Sequence, residues 1–127
     1  MYSFGKSVAG AFDAVVEQVI AALKVEGFGI ITDIDIQATM KAKIDVERAP
    51  YRILGACNPK LANEAINKEP SIGLLLPCNV VVRETGDNEV MVEFMDPAAV
   101  LGLSQGGDLK TLGDDVKGRL ERVQAAL

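Results

Sequence analysis

Histidine and tryptophan are absent from this chain, and cysteine occurs only twice. Histidine is the commonest general base and the commonest metal ligand, so its absence excludes Ser-His-Asp and Cys-His catalysis. Aromatic residues make up 5% of the sequence, and the net charge is −5 without any cluster of lysine and arginine. Such a chain has few rings on which bases could stack and no basic surface for phosphates, so we predict no nucleic-acid partner.

Long apolar runs are also missing, although hydrophobic residues make up 49% of the chain. The longest run, from Ile72 to Val82, contains Pro77 and Asn79 and falls short of the ~18 residues that a membrane helix needs. The sequence does not open with a basic segment followed by an apolar one, as a secretory signal would. We therefore predict a cytoplasmic protein without a membrane partner, whose two cysteines are reduced thiols.

The spacing of apolar residues predicts one α+β domain over residues 1–127, in the order β-α-β-α-β-α-β-β-α. Runs of β-branched residues predict a mainly antiparallel sheet of about five strands, and apolar stripes at helical spacing predict the helices that back it. The predicted strands are Tyr2–Val8, Ile30–Ile34, Tyr51–Ala56, Val80–Glu84 and Val90–Met95. The helices are predicted to start near Ala11, Ile36, Pro59 and Asp108, with Asp35 and Asp108 as caps of the second and the last.

The last two strands are predicted to form a hairpin around the turn at Gly86-Asp87-Asn88. Because side chains alternate along a strand, Val90, Val92 and Phe94 are expected to face the core. Met91 and Met95 would then lie on the opposite face. Apolar residues on that second face indicate that something covers it.

The two cysteines stand in mirrored settings, Cys57-Asn58-Pro59 and Pro77-Cys78-Asn79. One ends the third predicted strand and the other precedes the fourth, so both thiols are expected at neighbouring strand ends. Asparagine followed by proline is also typical of a helix start. The candidate ligand site comprises two cysteines that contact the ligand, two asparagines that orient it and two prolines that fix the backbone: Cys57, Asn58, Pro59, Pro77, Cys78 and Asn79.

Several uses of this pair stay open. Backbone N–H groups at the helix start favour a thiolate at Cys57, which would suit a redox or sulfur-handling enzyme. Cys57 and Cys78 could instead bind a soft metal ion such as Cu(I), with a further ligand from Asp, Met or a second subunit. Free cysteines are also common as small buried residues, which would leave a structural dimer. The leading interpretation is a non-enzymatic domain that binds a small ligand or metal and requires no cofactor.

The sequence resembles a family of small bacterial and archaeal proteins, domain of unknown function 302. The resemblance covers nearly the whole chain and is carried by Gly27–Gly29, Asp35–Met40, Tyr51–Pro59, Leu75–Val82 and Met95–Pro97. It implies a curved antiparallel sheet backed by helices, of the TATA-binding-protein-like kind, and a homodimer. It implies no function. One departure is Gly106-Gly107, where a polar residue and proline are usual before the final helix.

Overall fold

Five antiparallel strands form one sheet in this computed structural model, which describes residues 1–104 and 108–127. In chain order they are β1 (Ser3–Ala9), β2 (Gly29–Asp35), β3 (Tyr51–Cys57), β4 (Cys78–Gly86) and β5 (Glu89–Met95). The strands lie side by side in the order β1-β5-β4-β3-β2, so β1 and β2 are the edges. The predicted α+β class and antiparallel sheet are confirmed.

The helices of the described residues are α1 (Phe12–Val25), α2 (Ile36–Ile44), α3 (Pro59–Lys68), α4 (Pro97–Leu101) and α5 (Lys110–Ala125), with a 3₁₀ segment at Pro70–Leu75. Buried side chains of α1 and α5 pack against one face of the sheet. The long helices are therefore on one side, as the apolar stripes predict. In the part of the chain that the structure describes, no helix has the length and apolar character needed to cross a membrane.

The main core lies between that face of the sheet and the two long helices. Val90, Val92 and Phe94 are fully buried there, and they pack in one cluster with Val16 of α1 and Leu120 of α5. The intervening residues of β5 point to the other face because side chains alternate along a strand. The inward face predicted for the hairpin is thus confirmed.

A second, smaller core forms where α3, the 3₁₀ segment, α4 and the start of α5 meet. Its buried members are Ala65, Ile72, Leu101, Leu109 and Leu112. None of these five residues belongs to a strand. The buried residues of the second core therefore lie outside the sheet, and three of them, Ala65, Leu101 and Leu112, also line a cavity at the end of the sheet.

The short helix α4 is a feature that apolar spacing did not predict. Asp96 caps it, since its Oδ1 accepts hydrogen bonds from the N–H groups of Ala98 and Ala99 at 3.0 and 3.3 Å. On α5, a Cβ at Gly113 would lie 3.1 Å from the carbonyl oxygen of Pro97. Glycine inside α5 therefore allows α4 to approach closely, which accounts for a residue that helix propensity disfavours.

Helix capping followed the prediction for α2 and differed for α5. Asp35 Oδ1 accepts a hydrogen bond from the N–H of Ala38 at 2.9 Å, as expected for a cap. The prediction that Asp108 caps the last helix was wrong, because α5 starts at Lys110 and Leu109 occupies the N-cap position. Leu109 is buried in the second core, so the N-cap position of α5 holds a packed apolar side chain. The Gly106-Gly107 pair that departs from the family pattern lies outside the described residues.

Candidate functional site

The two cysteines lie at the same end of neighbouring strands. Cys57 is the last residue of β3 and Cys78 is the first of β4, and these strands are antiparallel, with Ala56 directly opposite Cys78. Twenty residues of chain, comprising α3 and the 3₁₀ segment, leave one strand and return to the other. Antiparallel pairing therefore brings together two thiols that are distant in sequence.

A cavity of about 310 Å³ opens beside this pair, and both cysteines line it. Its walls come from the strand ends, from α3 and from α5, and they include Phe28, Leu61, Ala62, Ile66, Leu112 and Val116. None of the described residues that line it is Asp, Glu, Lys or Arg. The small side chains of α3 leave the space. The site is therefore an apolar cavity at the edge between the two cores.

The mouth of the cavity is apolar as well. Ile31 and Ile66 line it, yet 61% and 42% of their surface is exposed. Ile31 is the residue skipped in the β2–β3 register, which shifts between Ile30 and Thr32. An irregularity of this kind turns a side chain out of the regular alternation. The opening of the cavity to solvent is therefore flanked by the side chains of Ile31 and Ile66.

Asn58 is the main polar side chain beside the cavity, and it has a structural role. Its Oδ1 accepts a hydrogen bond from the N–H of Leu61 at 3.2 Å, which caps α3 as predicted. Its amide also lies against Gly27, where an added Cβ would be 3.0 Å from Nδ2. Gly27 has φ +89°, a conformation that favours glycine. Glycine at position 27 therefore allows the turn before β2 to pack against the side chain of Asn58, which caps α3.

Cys78 is 8% exposed. Burial is the main cause that raises the pKa of its thiol to about 11, and the neighbouring Cys57 also raises it. The thiol is therefore protonated at neutral pH. Because the thiolate is the form that attacks electrophiles and binds metals, burial disfavours both uses of Cys78. Both cysteines are free, and Cys57 is half-buried.

The six candidate residues do not all meet at the cavity. Cys57, Asn58, Pro77 and Cys78 line it. Asn79 follows Cys78 on β4 and pairs with Gly55, so its exposed side chain points to the opposite face of the sheet. Pro59 is exposed in the first turn of α3 and is not among the lining residues.

Sequence reasoning missed most of the cavity wall. Leu61, Ala62, Ala65 and Ile66 have the spacing of an inward helix face, which suggests core packing and gives no sign of a gap. The contributions of Phe28, Leu101 and Leu112 come from distant segments. A clue was available in α3, where two alanines stand on the inward face at positions that larger residues would fill.

A second cavity, of about 330 Å³, lies at the other end of β2 and β3. Its lining mixes polar and charged groups, including Asp13, Asp35, Tyr51 and Arg52. Arg52 forms an ion pair with Asp33 on the neighbouring strand. Within residues 1–104 and 108–127, no three His, Cys, Asp or Glu side chains come together as a metal site.

The sheet, its helical cover and the cavity define a small α+β domain with an apolar cavity at a strand end. The chain belongs to the family described as domain of unknown function DUF302, whose model matches residues 4–127. It is also similar to a solved structure, the uncharacterized conserved protein DUF302 from Bacillus stearothermophilus. The two are 25% identical with a TM-score of 0.89, and the match covers 99% of this chain and 98% of that one. No protein with a curated description matches. The family resemblance is confirmed.

Proposed function

We propose that this chain is a non-enzymatic domain that binds a small ligand in the cavity beside Cys57 and Cys78. One observation carries the proposal: both cysteines line the same open cavity of about 310 Å³. This volume falls within the ~300–1,000 Å³ typical of small-molecule sites. Its apolar lining distinguishes it from the second cavity, whose lining includes charged side chains.

Binding is better supported than catalysis. An acid or base would need a titratable group at the cavity, and no carboxylate or amine lines it among the described residues. A redox or sulfur-handling enzyme, or a soft-metal site, would need thiolates. Burial of Cys78, with its pKa raised to about 11, works against that form. If the cysteines were only packing residues of a structural dimer, the apolar cavity beside them would have no role.

Native mass spectrometry of the purified protein tests this proposal. A bound ligand adds mass that is present under native spray and lost on denaturation. Ala62→Phe should abolish that added mass, because Ala62 lines the cavity and a phenyl ring would fill it. Asn63→Phe is the matched control, since Asn63 is exposed on the same helix. An added mass that survives Ala62→Phe would contradict the proposal.

We also propose that the chain acts as a homodimer in the cytoplasm. On the sheet face away from α1 and α5, Ile53 lies opposite Val81, and both are only half-buried. Ile34 on the same face is 46% exposed, and a second copy would cover this surface. The free cysteines suit a reducing compartment. Sedimentation tests the dimer: Val81→Lys should yield monomers, and a monomeric wild type would contradict it.

A further inference from the structure

The chemistry of the cavity wall restricts what can bind there. The residues that line the space are mostly hydrocarbon, such as Phe28, Leu61 and Val116, and they include Cys57 and Cys78. Asn58 contributes an amide, but its oxygen already accepts the hydrogen bond that caps α3. A ligand therefore finds few free hydrogen-bond partners inside, and its buried part has to be apolar.

The lack of charged side chains among the described lining residues also favours an uncharged ligand. No Asp, Glu, Lys or Arg is among the described lining residues, and the buried Cys78 thiol stays protonated because its pKa is raised to about 11. A charged ligand would lose its hydration without gaining an opposite charge, which is strongly unfavourable. The mouth repeats this chemistry, because the exposed side chains there are Ile31 and Ile66.

The volume limits the size of the ligand. An apolar cavity of ~150 Å³ accepts one benzene molecule. The cavity here is about twice as large, at about 310 Å³. It therefore has room for a two-ring hydrocarbon or an acyl group of similar volume. A larger molecule would have to extend between the isoleucines at the mouth.

The cavity lies between the main core and the second core, so a ligand would contact both. Ala56 and Val116 belong to the main core, whereas Ala65 and Leu112 belong to the second core, and all four line the space. An apolar occupant would contact both cores at once. The atoms that line an empty cavity lack van der Waals partners on one side, and the occupant would supply them.

We infer that the ligand of this site is an uncharged, largely apolar molecule of about two-ring size, bound between the two cores beside the cysteines. This inference rests on the proposed function, because it names the class of ligand for the same cavity. It separates the site from one for a metal ion, an anion or a charged metabolite.

Two dyes that share one skeleton provide the test. N-phenyl-1-naphthylamine is uncharged, and 1-anilinonaphthalene-8-sulfonate adds a sulfonate to the same rings. Both fluoresce more strongly in apolar surroundings, so each can be titrated into the wild-type protein. We expect the anionic dye to bind at least about tenfold more weakly, because the cavity offers its sulfonate no partner.

Filled variants show where the dye binds. Ala62→Phe and Gly73→Leu should each remove binding of the uncharged dye, and the exposed control Asn63→Phe should retain it. Gly73 lines the cavity, and a Cβ there would meet no atom within 4 Å. The second filled variant keeps the test valid should Ala62→Phe misfold, which circular dichroism would reveal.

The outcomes separate the two proposals. Binding of the uncharged dye that is lost in the filled variants supports both. Tighter binding of the anionic dye, also lost in the filled variants, overturns the ligand class and leaves the site standing. Binding that persists in both filled variants places the dye on another surface, such as the open sheet face or a contact with a second copy, and overturns both. Absence of binding by either dye also overturns both.

Discussion

The two cavities at opposite ends of β2 and β3 have similar volumes, about 310 and 330 Å³, but different chemistry. At the cysteine end the walls are hydrocarbon, and the second core covers them. At the other end the lining includes the charged residues Asp13, Asp35 and Arg52, together with Phe12 and Gln37 from the starts of α1 and α2. Volume therefore does not distinguish the two ends. The two ends differ in the wall of the cavity, which consists of packed apolar side chains at the cysteine end and includes charged side chains at the other end.

This difference predicts how each end contributes to stability. Buried hydrocarbon contributes through area removed from water and through close packing, and neither depends on attraction between charges. An exposed ion pair contributes little, because water and salt screen it. Substitutions at the cysteine end should therefore destabilise the protein more than substitutions at the charged end.

The largest effect is expected in the second core. Ile72 is 1% exposed there, so Ile72→Ala should lower the free energy of unfolding by about 2–5 kcal/mol. Ile72→Val removes one methylene and should cost about 0.5–1.5 kcal/mol. Urea unfolding followed by circular dichroism measures both. Equal, small losses would mean that the second core is loosely packed, and the contrast between the two ends would fail.

The reactivity of Cys78 should also differ strongly between folded and unfolded chain. Raising its pKa from 9.0 to about 11 lowers the thiolate fraction near pH 8 about hundredfold. A Cys57→Ser background removes the smaller cause of this shift and keeps the larger one, burial, so iodoacetamide should alkylate the folded protein many times more slowly than the protein in urea. Similar rates would show that the thiol is accessible and ionised in the folded protein.

The same shift makes stability depend on alkaline pH. The unfolded chain releases the Cys78 proton first, so it binds fewer protons than the folded chain between pH 9.0 and about 11. The free energy of unfolding should therefore be unaffected below pH 9.0 and fall as pH rises towards 11. A Cys57→Ser/Cys78→Ser variant supplies the control, because this part of the decline should be missing from it.

Much of the fold was predictable because local rules agree with the tertiary structure. Alternation in the β4–β5 hairpin and the Asn58 cap each depend on a few neighbouring residues. The helix α4 was not predictable from spacing. It has five residues, and it is fixed by the Asp96 cap, by an ion pair of 2.9 Å between Asp96 and Lys117, and by the close approach at Gly113.

The site was predictable in part. Placing Cys57 at the end of one strand and Cys78 at the start of the next was enough to bring them together. The mirrored motif suggested equal roles for the two asparagines, but Asn58 follows a strand and caps a helix, whereas Asn79 lies within a strand. Alternation then turns Asn79 away from its cysteine. The cavity could not be predicted, because its walls depend on how distant helices pack.

An intermediate effect is expected at Gly27, which fits the turn before β2 to the Asn58 cap. Its φ of +89° disfavours other residues, and a Cβ would lie 3.0 Å from the Asn58 amide. Gly27→Ala should therefore lower the free energy of unfolding by about 1–3 kcal/mol. Gly29→Ala is the matched control, because no atom lies within 4 Å of its Cβ position, and it should change stability by less than about 0.5 kcal/mol.

The smallest effect is expected at the charged end. Asp33 pairs with Arg52 across the β2–β3 edge, and both side chains are partly exposed, at 33% and 25%. Asp33→Asn should therefore lower the free energy of unfolding by less than about 1 kcal/mol, and added salt should reduce that difference. Asp87→Asn gives the baseline, because Asp87 is exposed in the β4–β5 turn and forms no ion pair with the described residues. A loss at Asp33 as large as that of Ile72→Ala, and insensitive to salt, would mean that the charged end is held as firmly as the apolar one. The hydrocarbon wall would then no longer be what distinguishes the cysteine end.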